Sequence, residues 1–356
     1  MPSDKPVFRL KVFPADHGDC LWIEHGTNND LHHVLIDAGT DRTGKRLLKY
    51  IVDQHHGKVH FDLFVVTHID ADHIGGALPL LANAGVTFGD IWFNGYVHLK
   101  PDAVDAFGGV QGEKLTTLLL KRKNQAWNGA FQNKAVRLTH DGKNQKAQLK
   151  TGASLVVVSA DEGQLVRVEK NWKEDCRKAG LDPKHRRPRE NVPPGFERMG
   201  IPDVDALAES TFTEDTAPPN GSSIGLVFEF EKKCLVLLGD AYPSVVLKGL
   251  RALQPTGRFK ADVVKLAHHG SRGNTSRELV ERIDGESWVF STSGAIFRHP
   301  DDEAVARVIV SATEPRLYFN YRTKFNDSWE TKSLQKKHHF TTQHGDGLQP
   351  QIIELI

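Results

Sequence analysis

The sequence has few cysteines and no long hydrophobic run. Its 356 residues include only Cys20, Cys176 and Cys234, which are too few and too scattered for a disulfide framework or a Cys-x-x-Cys zinc site. The first residues, Met-Pro-Ser-Asp-Lys-Pro, lack the apolar core of a signal peptide, and no stretch approaches the roughly 18 apolar residues of a membrane span. We therefore expect a cytoplasmic protein with reduced thiols and no membrane association.

A marked excess of charge of either sign is also absent. The chain carries 46 Lys and Arg against 45 Asp and Glu, so its net charge of +1 predicts neither a nucleic-acid nor a membrane partner. A basic cluster lies in a proline-rich segment and consists of Lys184, His185, Arg186, Arg187 and Arg189. This cluster either contacts phosphates or forms a solvated loop, and the sequence leaves both interpretations open. It identifies no protein partner.

The hydrophobic pattern is that of a layered α/β protein. Strands are predicted at 7–13, 21–24, 33–36, 61–66, 91–93, 153–159, 222–230, 234–238, 261–267, 288–291, 317–321 and 351–355. Helices are predicted at 45–54, directly after residue 76, at 111–121 and 162–179, around 245–250, at 276–283 and around 305–308. We expect one domain over 1–356, with a helical and loop elaboration at about 97–219 and a C-terminal extension at about 311–356. Within these, 182–219 is expected to be a surface loop and the polar segment between the last two strands is expected to be surface.

Four potential metal ligands occur within six residues at the end of the strand predicted at 61–66. They are His68, Asp70, Asp72 and His73, and the helix start Gly75-Gly76 follows them. Imidazole and carboxylate ligands together suit a divalent ion such as Zn²⁺ or Mn²⁺. The alternative is a polar strand-to-helix turn in which these side chains only cap the helix.

Other predicted strands also end in potential ligands. Asp37 follows the strand at 33–36, Asp240 follows 234–238, and His268 and His269 follow 261–267. Because strand ends in one sheet can point to one rim, these side chains can meet although they are more than 200 residues apart. Histidine and carboxylate at such a rim are the ligand set of a hydrolytic site with one or two metals, in which Asp240 is suited to bridge two ions.

These motifs together resemble the metallo-β-lactamase superfamily, whose hallmark is His-x-His-x-Asp-His after a strand. The resemblance is closest to the branch related to the hydrolase domain of the DNA-uptake protein ComEC, in which the second His is Asp. The matching stretches, in chain order, are Asp16–Asp19 (with Asp16 and His17 as departures), Asp37–Gly39, His68–Gly76, Ser222–Leu226, Leu237–Asp240, His268–Ser271, and Ser293-Gly294 with His299-Pro300. They cover about 1–96 and 220–310.

The resemblance implies a four-layer αββα metallo-β-lactamase sandwich with its site at one edge. It implies that His68 and Asp70 hold one metal, that Asp72, His73 and His269 hold a second, and that Asp240 bridges them. Further roles concern three residues: Asp37 hydrogen-bonds a ligand, and His268 and His299 are candidates to contact the substrate's leaving oxygen or phosphate. Which of the neighbouring residues 268 and 269 is the ligand is left open by the residues alone.

One departure from the superfamily concerns the number and kind of ions. Members with two tightly held ions carry another His between the first motif and the bridging Asp, whereas here His98, His140 and His185 follow no convincing strand in a recognisable motif. Asp70 in place of a His also makes the first site richer in oxygen, which favours Mn²⁺ or Mg²⁺ more than a nitrogen-rich site would. One or two ions are therefore both compatible with the sequence.

The activity that follows is hydrolysis by a metal-activated water, with Asp72 placed to hydrogen-bond that water. The branch resemblance implies a phosphodiesterase or nuclease acting on nucleic acid or another phosphodiester. An alternative is a hydrolase of a small ester, lactone or thioester. An alternative of another class is a binding protein that keeps the fold but has lost activity.

Overall fold

The computed structural model describes residues 4–99, 110–169 and 201–356. The strands of these residues are β1 Pro6–Val12, β2 Leu21–Thr27, β3 Leu31–Ile36, β4 Val59–Val65, β5 Val86–Trp92, β6 Ala126–Trp127, β7 Lys146–Gln148, β8 Ser154–Ser159, β9 Gly225–Phe230, β10 Lys233–Leu237, β11 Phe259–Lys265, β12 Ile283–Phe290, β13 Arg316–Phe319, β14 Thr341–His344 and β15 Gln351–Glu354.

Helices connect most of these strands. They are α1 Asp41–His55, α2 Ala71–Ile74, α3 Ala77–Ala82, α4 Tyr96–Leu99, α5 Val110–Lys121, α6 at 162–169, α7 Val204–Ala208, α8 Pro218–Gly221, α9 Pro243–Leu253, α10 Arg277–Arg282, α11 Asp302–Ser311 and α12 Lys332–His338. Short 3₁₀ turns occur at Gly129–Phe131, Ala267–Gly270 and Asp327–Glu330.

Among the described residues the strands form two mixed sheets. The first sheet has the order β15-β1-β2-β3-β4-β5-β6 and the second has the order β14-β13-β12-β11-β10-β9-β8-β7. Each sheet has an antiparallel part, β1 to β3 and β7 to β10, that continues into a parallel part, β3 to β6 and β10 to β14. Parallel neighbours end at the same edge of a sheet, so the loops after β3, β4, β10 and β11 can converge there.

Three apolar clusters define the layers of the molecule. The central cluster joins side chains of both sheets, such as Phe8 and Leu63 of the first and Phe228 and Val263 of the second. A second cluster packs α1 and α3 on the outer face of the first sheet, and a third packs α9, α10 and α11 on the outer face of the second. The αββα sandwich predicted from the sequence is thereby confirmed.

Two segments are more ordered than the sequence pattern indicated. The part of the predicted 182–219 loop that is described contains α7, which buries Val204 and Ala208 against the third cluster, and it leads into α8. The polar segment after β13 contains α12 and β14, anchored by buried Leu334 and Phe340. The loop prediction was wrong at α7, because this helix has only two buried apolar anchors, too few for a periodic signal. The segment after β13 lies at the surface as expected, with Lys336, Lys337 and His339 exposed.

No helix in the described residues is both long and apolar enough to span a bilayer. Residues 170–179 of the predicted 162–179 helix lie outside the described residues, as do Cys176 and the basic cluster at 184–189. The single-domain organisation over 1–356 stays a prediction.

Candidate metal centre

The first motif lies where β4 ends and α2 begins. Asp70 occupies the N-cap position of α2, a single turn that carries Asp72 and His73. The turn is pressed against the loop after β3, since a β-carbon at position 76 would lie 2.2 Å from Ala38 O. Only glycine permits this approach, which explains the Gly at the end of the motif.

One set of donor atoms, the first donor group, collects around His68. The Nε2 atom of His68 lies 3.8 Å from Asp70 Oδ2 and 3.7 Å from Asp240 Oδ2. The Nε2 atom of His268 lies 3.8 Å from that same oxygen of Asp240. The ligands of one ion each lie about 2.0–2.2 Å from it, which places them about 3–3.5 Å from one another. The donor atoms of the first group are only slightly farther apart than that.

A second donor group collects around His73. Its Nε2 atom lies 3.3 Å from Asp240 Oδ1 and 4.0 Å from Asp72 Oδ2. The Nε2 atom of His269 lies 3.5 Å from Asp72 Oδ2 and 3.9 Å from Asp240 Oδ1. Asp240 thus presents one carboxylate oxygen to each group, which is the arrangement of a bridging carboxylate.

Hydrogen bonds fix the orientation of the two histidines of the motif. Asp37 Oδ2 accepts from His73 Nδ1 at 2.7 Å and from the Thr67 hydroxyl at 2.8 Å. His68 Nδ1 lies 3.0 Å from that hydroxyl oxygen and 3.1 Å from the Ser223 hydroxyl. Both rings are therefore held through Nδ1 and turn Nε2 into the pocket, as metal-binding histidines do.

The histidines after β11 are oriented in the same way. His269 Nδ1 donates to Ser291 O at 2.9 Å, and His268 Nδ1 donates to Asn274 Oδ1 at 2.9 Å with Asp215 Oδ2 3.6 Å away. Both residues have left-handed backbone conformations, with φ of 46° for His268 and 58° for His269. Such angles cost non-glycine residues about 1–2 kcal/mol each, and here they turn two consecutive side chains into one pocket.

Three supporting residues were missed by the sequence argument. Asp19 pairs with the buried Lys265 and has its Oδ1 atom 3.4 Å from His269 Nδ1. Asp19 belongs to the Asp16–Asp19 stretch that resembles the family, and this resemblance was the signal that could have identified it. Asp215 lies in the segment predicted to be a loop, and Asn274 follows the His268–Ser271 motif by a few residues. No local pattern marks either one, because only the fold brings them to His268.

The unsatisfied atoms of the pocket fit a bound cation. Within the described residues, His68 Nε2, His73 Nε2, His269 Nε2, Asp240 Oδ1 and Asp19 Oδ1 are buried and make no hydrogen bond. Buried polar atoms are rarely left without a partner. Nitrogen and carboxylate donors from Asp19, His73, Asp240 and His269 also lie within 4.8 Å of one another. The residues present therefore fit divalent metal binding.

The charges of the pocket act strongly on one another. Burial, together with the nearby His73, lowers the pKa of His68 to about 4. Burial also opposes ionisation of His268, but the carboxylates of Asp240 and Asp215 outweigh it and raise its pKa to about 9. Asp240 is held well below its usual pKa, because the surrounding histidines outweigh the effect of burial. Asp240 is thus ionised at neutral pH, in the form that binds metal.

The remaining candidate histidines lie outside both donor groups. The ring of His299 is 5.3 Å from that of His268, and its Nδ1 atom lies 3.5 Å from Asp301 Oδ2. His98 packs on Trp127, and the exposed His140 pairs with Glu162. His185 lies outside the described residues. Among these histidines of the described residues, only His268 places a ring nitrogen beside the Asp240 oxygen that faces His68.

Comparisons with known proteins find similarity to this chain only among solved structures. No family model matches the sequence, and no curated protein matches it. Among solved structures, a mutant of the CmlA β-hydroxylase has a TM-score of 0.42 at 11% identity, and the match covers 100% of this chain but only 55% of that one. The metallo-β-lactamase fold protein YhfI from Bacillus subtilis has a TM-score of 0.43 at 11% identity over 98% of this chain and 100% of that one. A diphosphatase of the PhnP family has a TM-score of 0.37 at 13% identity over 96% and 85%.

Proposed function

We propose that this protein is a metal-dependent hydrolase that holds two divalent ions and acts on phosphodiesters. The observation that carries the proposal is the position of Asp240, whose two oxygens face two separate groups of donors. His68, Asp70 and His268 would hold one ion, and Asp72, His73 and His269 would hold the other. A carboxylate shared between two ions is typical of two-metal hydrolases.

The protein's own residues supply orientation and exclude water. Bound divalent ions would lower the pKa of a coordinated water towards about 7 and offset charge developing on the substrate oxygens. The side chains of His68, His73 and His269 are buried, whereas that of Asp72 is 14% exposed. We assign Asp72 to accept a hydrogen bond from the attacking water and His299 to contact the substrate.

The donor set bears on the identity of the ions. With His268 included, each group offers two imidazole nitrogens and carboxylate oxygens, a balanced set that suits Zn²⁺ or Mn²⁺. Mg²⁺, which prefers oxygen and water ligands, fits less well than Asp70 alone suggested.

The choice of phosphodiesters, with nucleic acid as the partner, rests on the ComEC-like pattern. Asp70 in place of a His and the sequence His268-His269-Gly270-Ser271 are the residues that carry it. Hydrolysis at phosphorus needs positive charge rather than a covalent nucleophile, and a metal centre supplies that charge. The buried free thiols of Cys20 and Cys234 support the cytoplasmic location that we also propose.

The proposal is tested by measuring metal content and hydrolysis on the same preparation. We expect two ions per chain, and turnover of bis-p-nitrophenyl phosphate and single-stranded DNA with Mn²⁺ or Zn²⁺. Asp240→Asn should lose both properties. Asp262→Asn is the matched control, because Asp262 is a largely buried, ion-paired carboxylate that contacts Lys233 and Cys234 instead.

Two other outcomes would replace this function. Turnover of lactones or thioesters without turnover of phosphodiesters would make the protein a hydrolase of small esters. A protein that binds no metal, and in which His68→Ala changes no assay, would be a binding protein on this fold.

A further inference from the structure

A loop at the mouth of the metal centre exposes apolar side chains beside the site. Ile296 and Phe297 are 59% and 44% exposed, which is unusual for large apolar residues so near a polar pocket. The loop follows β12 and leads to His299, the proposed substrate contact. Its exposed apolar tip has no evident role in holding the fold together.

The base of this loop is well anchored. Ser293 N donates to Asp16 O at 2.5 Å, and Arg298 N donates to Gly294 O at 3.0 Å, closing a tight turn. Gly294 has a φ of 67°, and a β-carbon there would lie 2.4 Å from the Phe325 ring. The turn therefore holds Ile296 and Phe297 outward on a fixed base, which limits the entropy lost when a ligand binds.

Aromatic rings lead from Phe297 to the donor groups. The Phe297 ring stacks 6.2 Å from that of His299, which lies 5.3 Å from that of His268. Phe297 also meets the His17 ring edge to face, with the ring centroids 5.7 Å apart. We call Phe297, His17 and His299 the ring wall. Its outermost member is the phenyl group.

The ring wall adjoins the second donor group as well as the first. The turn that carries His17 lies directly on the α2 backbone, since Asp19 N donates to Asp72 O at 3.3 Å. A β-carbon at position 18 would lie 1.7 Å from the same oxygen, so only glycine fits between them. A substrate at the metal centre therefore has the ring wall as its neighbour.

We propose that Phe297 is a stacking platform for a nucleobase, so that the substrate of this site is a phosphodiester carrying an unpaired base. The inference rests on the proposed function and narrows its substrate class. A flat ring packs on Phe297 between two imidazoles, while the phosphate it carries reaches the donor groups. The neighbouring Arg298 is exposed and has no ion-pair partner within the described residues, which complements a polyanion. Base stacking on an aromatic side chain tolerates any base, so the selection is for single strands over paired ones.

Binding without turnover gives the first test. In EDTA, we expect the full-length protein to bind a fluorescent oligothymidylate more tightly than an abasic oligomer of equal length, as measured by anisotropy. Phe297→Ala should weaken oligothymidylate binding by about 5- to 30-fold and leave abasic binding unchanged, whereas Phe297→Trp should preserve both. Val52→Ala, a truncation of another apolar side chain that is 60% exposed, is the control and should change neither.

Kinetics give the second test and separate this inference from the proposed function. Phe297→Ala should raise KM for thymidine 5′-(p-nitrophenyl phosphate) by a similar factor at unchanged kcat, without affecting methyl p-nitrophenyl phosphate. If wild-type protein with metal cleaves neither ester, the proposed function fails while the anisotropy result still tests stacking.

Three results would overturn the stacking role. The first is that the protein binds oligothymidylate and the abasic oligomer equally, or binds neither, and that Phe297→Ala also leaves KM for the thymidine ester unchanged. Another is an equal loss of activity on both esters, which would mean that Phe297 only supports the site. The third is binding to phosphatidylglycerol vesicles that depends on Phe297 while oligomer binding does not, which would assign the tip to a membrane surface.

Discussion

Replacing Asp37 by Asn tests whether hydrogen bonds hold the metal-facing histidines in one tautomer. Asp37 accepts three hydrogen bonds: Thr67 N reaches Oδ1 at 2.8 Å, and the Thr67 hydroxyl and His73 Nδ1 reach Oδ2 at 2.8 and 2.7 Å. Asn has nearly the same shape but carries one NH₂ group. In either orientation of the amide, that group must face a hydrogen-bond donor.

The two orientations differ in cost. An NH₂ group at the Oδ1 position would face the backbone N–H of Thr67, which cannot rotate away, and would leave a buried donor unpaired at about 1–3 kcal/mol. At the Oδ2 position it faces a hydroxyl and an imidazole, which can both reorient. The second orientation is therefore favoured, and it moves the proton of His73 from Nδ1 to Nε2. The Nε2–H group would then point at Asp240 Oδ1, 3.3 Å away.

A proton on Nε2 prevents His73 from binding the metal and also donates a hydrogen bond to the second ligand, Asp240 Oδ1. We expect Asp37→Asn to weaken metal binding at the second donor group by about 10- to 100-fold, the usual effect of losing a residue that orients a ligand. Titration calorimetry with Zn²⁺ measures the affinity, and ¹⁵N NMR of the histidine rings reports the tautomer.

The control repeats the same chemistry elsewhere in the chain. Asp62 Oδ2 also lies 2.7 Å from a histidine Nδ1, that of His32, but far from the donor groups. Asp62→Asn should leave metal affinity unchanged. Equal affinity in both variants, or an unchanged His73 tautomer in Asp37→Asn, would refute the reasoning.

Three further predictions concern the first donor group, the ion pair beside it and the core. His268→Ala should reduce bound metal from two ions to about one per chain by elemental analysis, whereas His299→Ala should keep two; retention of two ions by the former would remove residue 268 from the ligand set. Lys265→Met should lower the free energy of unfolding by about 3–5 kcal/mol, because it strands the buried carboxylate of Asp19, and a second change of that residue to Asn should recover part of the loss in urea titrations. Burial lowers the pKa of His25 to about 4, from a usual 6.5. Wild-type stability should therefore fall as pH drops from 6.5 to 4, by about 3 kcal/mol from this residue, and His25→Leu should flatten that slope; equal slopes in both proteins would contradict the assignment.

Much of the fold could be predicted because its strands have strong local signals. The apolar run at 61–66 corresponds to β4, and the hairpin at 222–238 corresponds to β9 and β10. The aspartates at 37 and 240 follow the ends of β3 and β10, where the hydrophobic pattern gives way to turn residues. The short α7 escaped prediction because helices of this length are stabilised by tertiary packing and not by their own sequence.

The residues of the candidate site could be predicted from the sequence, but their separation into two donor groups could not. Sequence order pairs His68 with Asp70 and Asp72 with His73, but it cannot tell that Asp240 turns one oxygen to each pair. The position of the side chain at 268 depends on two successive left-handed residues, a conformation that no local pattern marks in a His-His-Gly sequence. Orientation at this level is decided by the packing of β10 and β11, which only the fold provides.

The central feature of the proposed site is a pair of ions that share Asp240. Electron paramagnetic resonance of the protein saturated with Mn²⁺ reads out that arrangement, because two ions joined by one carboxylate are magnetically coupled and isolated ions are not. We predict the spectrum of a coupled pair for the wild type and its loss in Asp240→Asn. A wild-type spectrum of isolated ions, or of one ion at saturation, would contradict the two-metal centre.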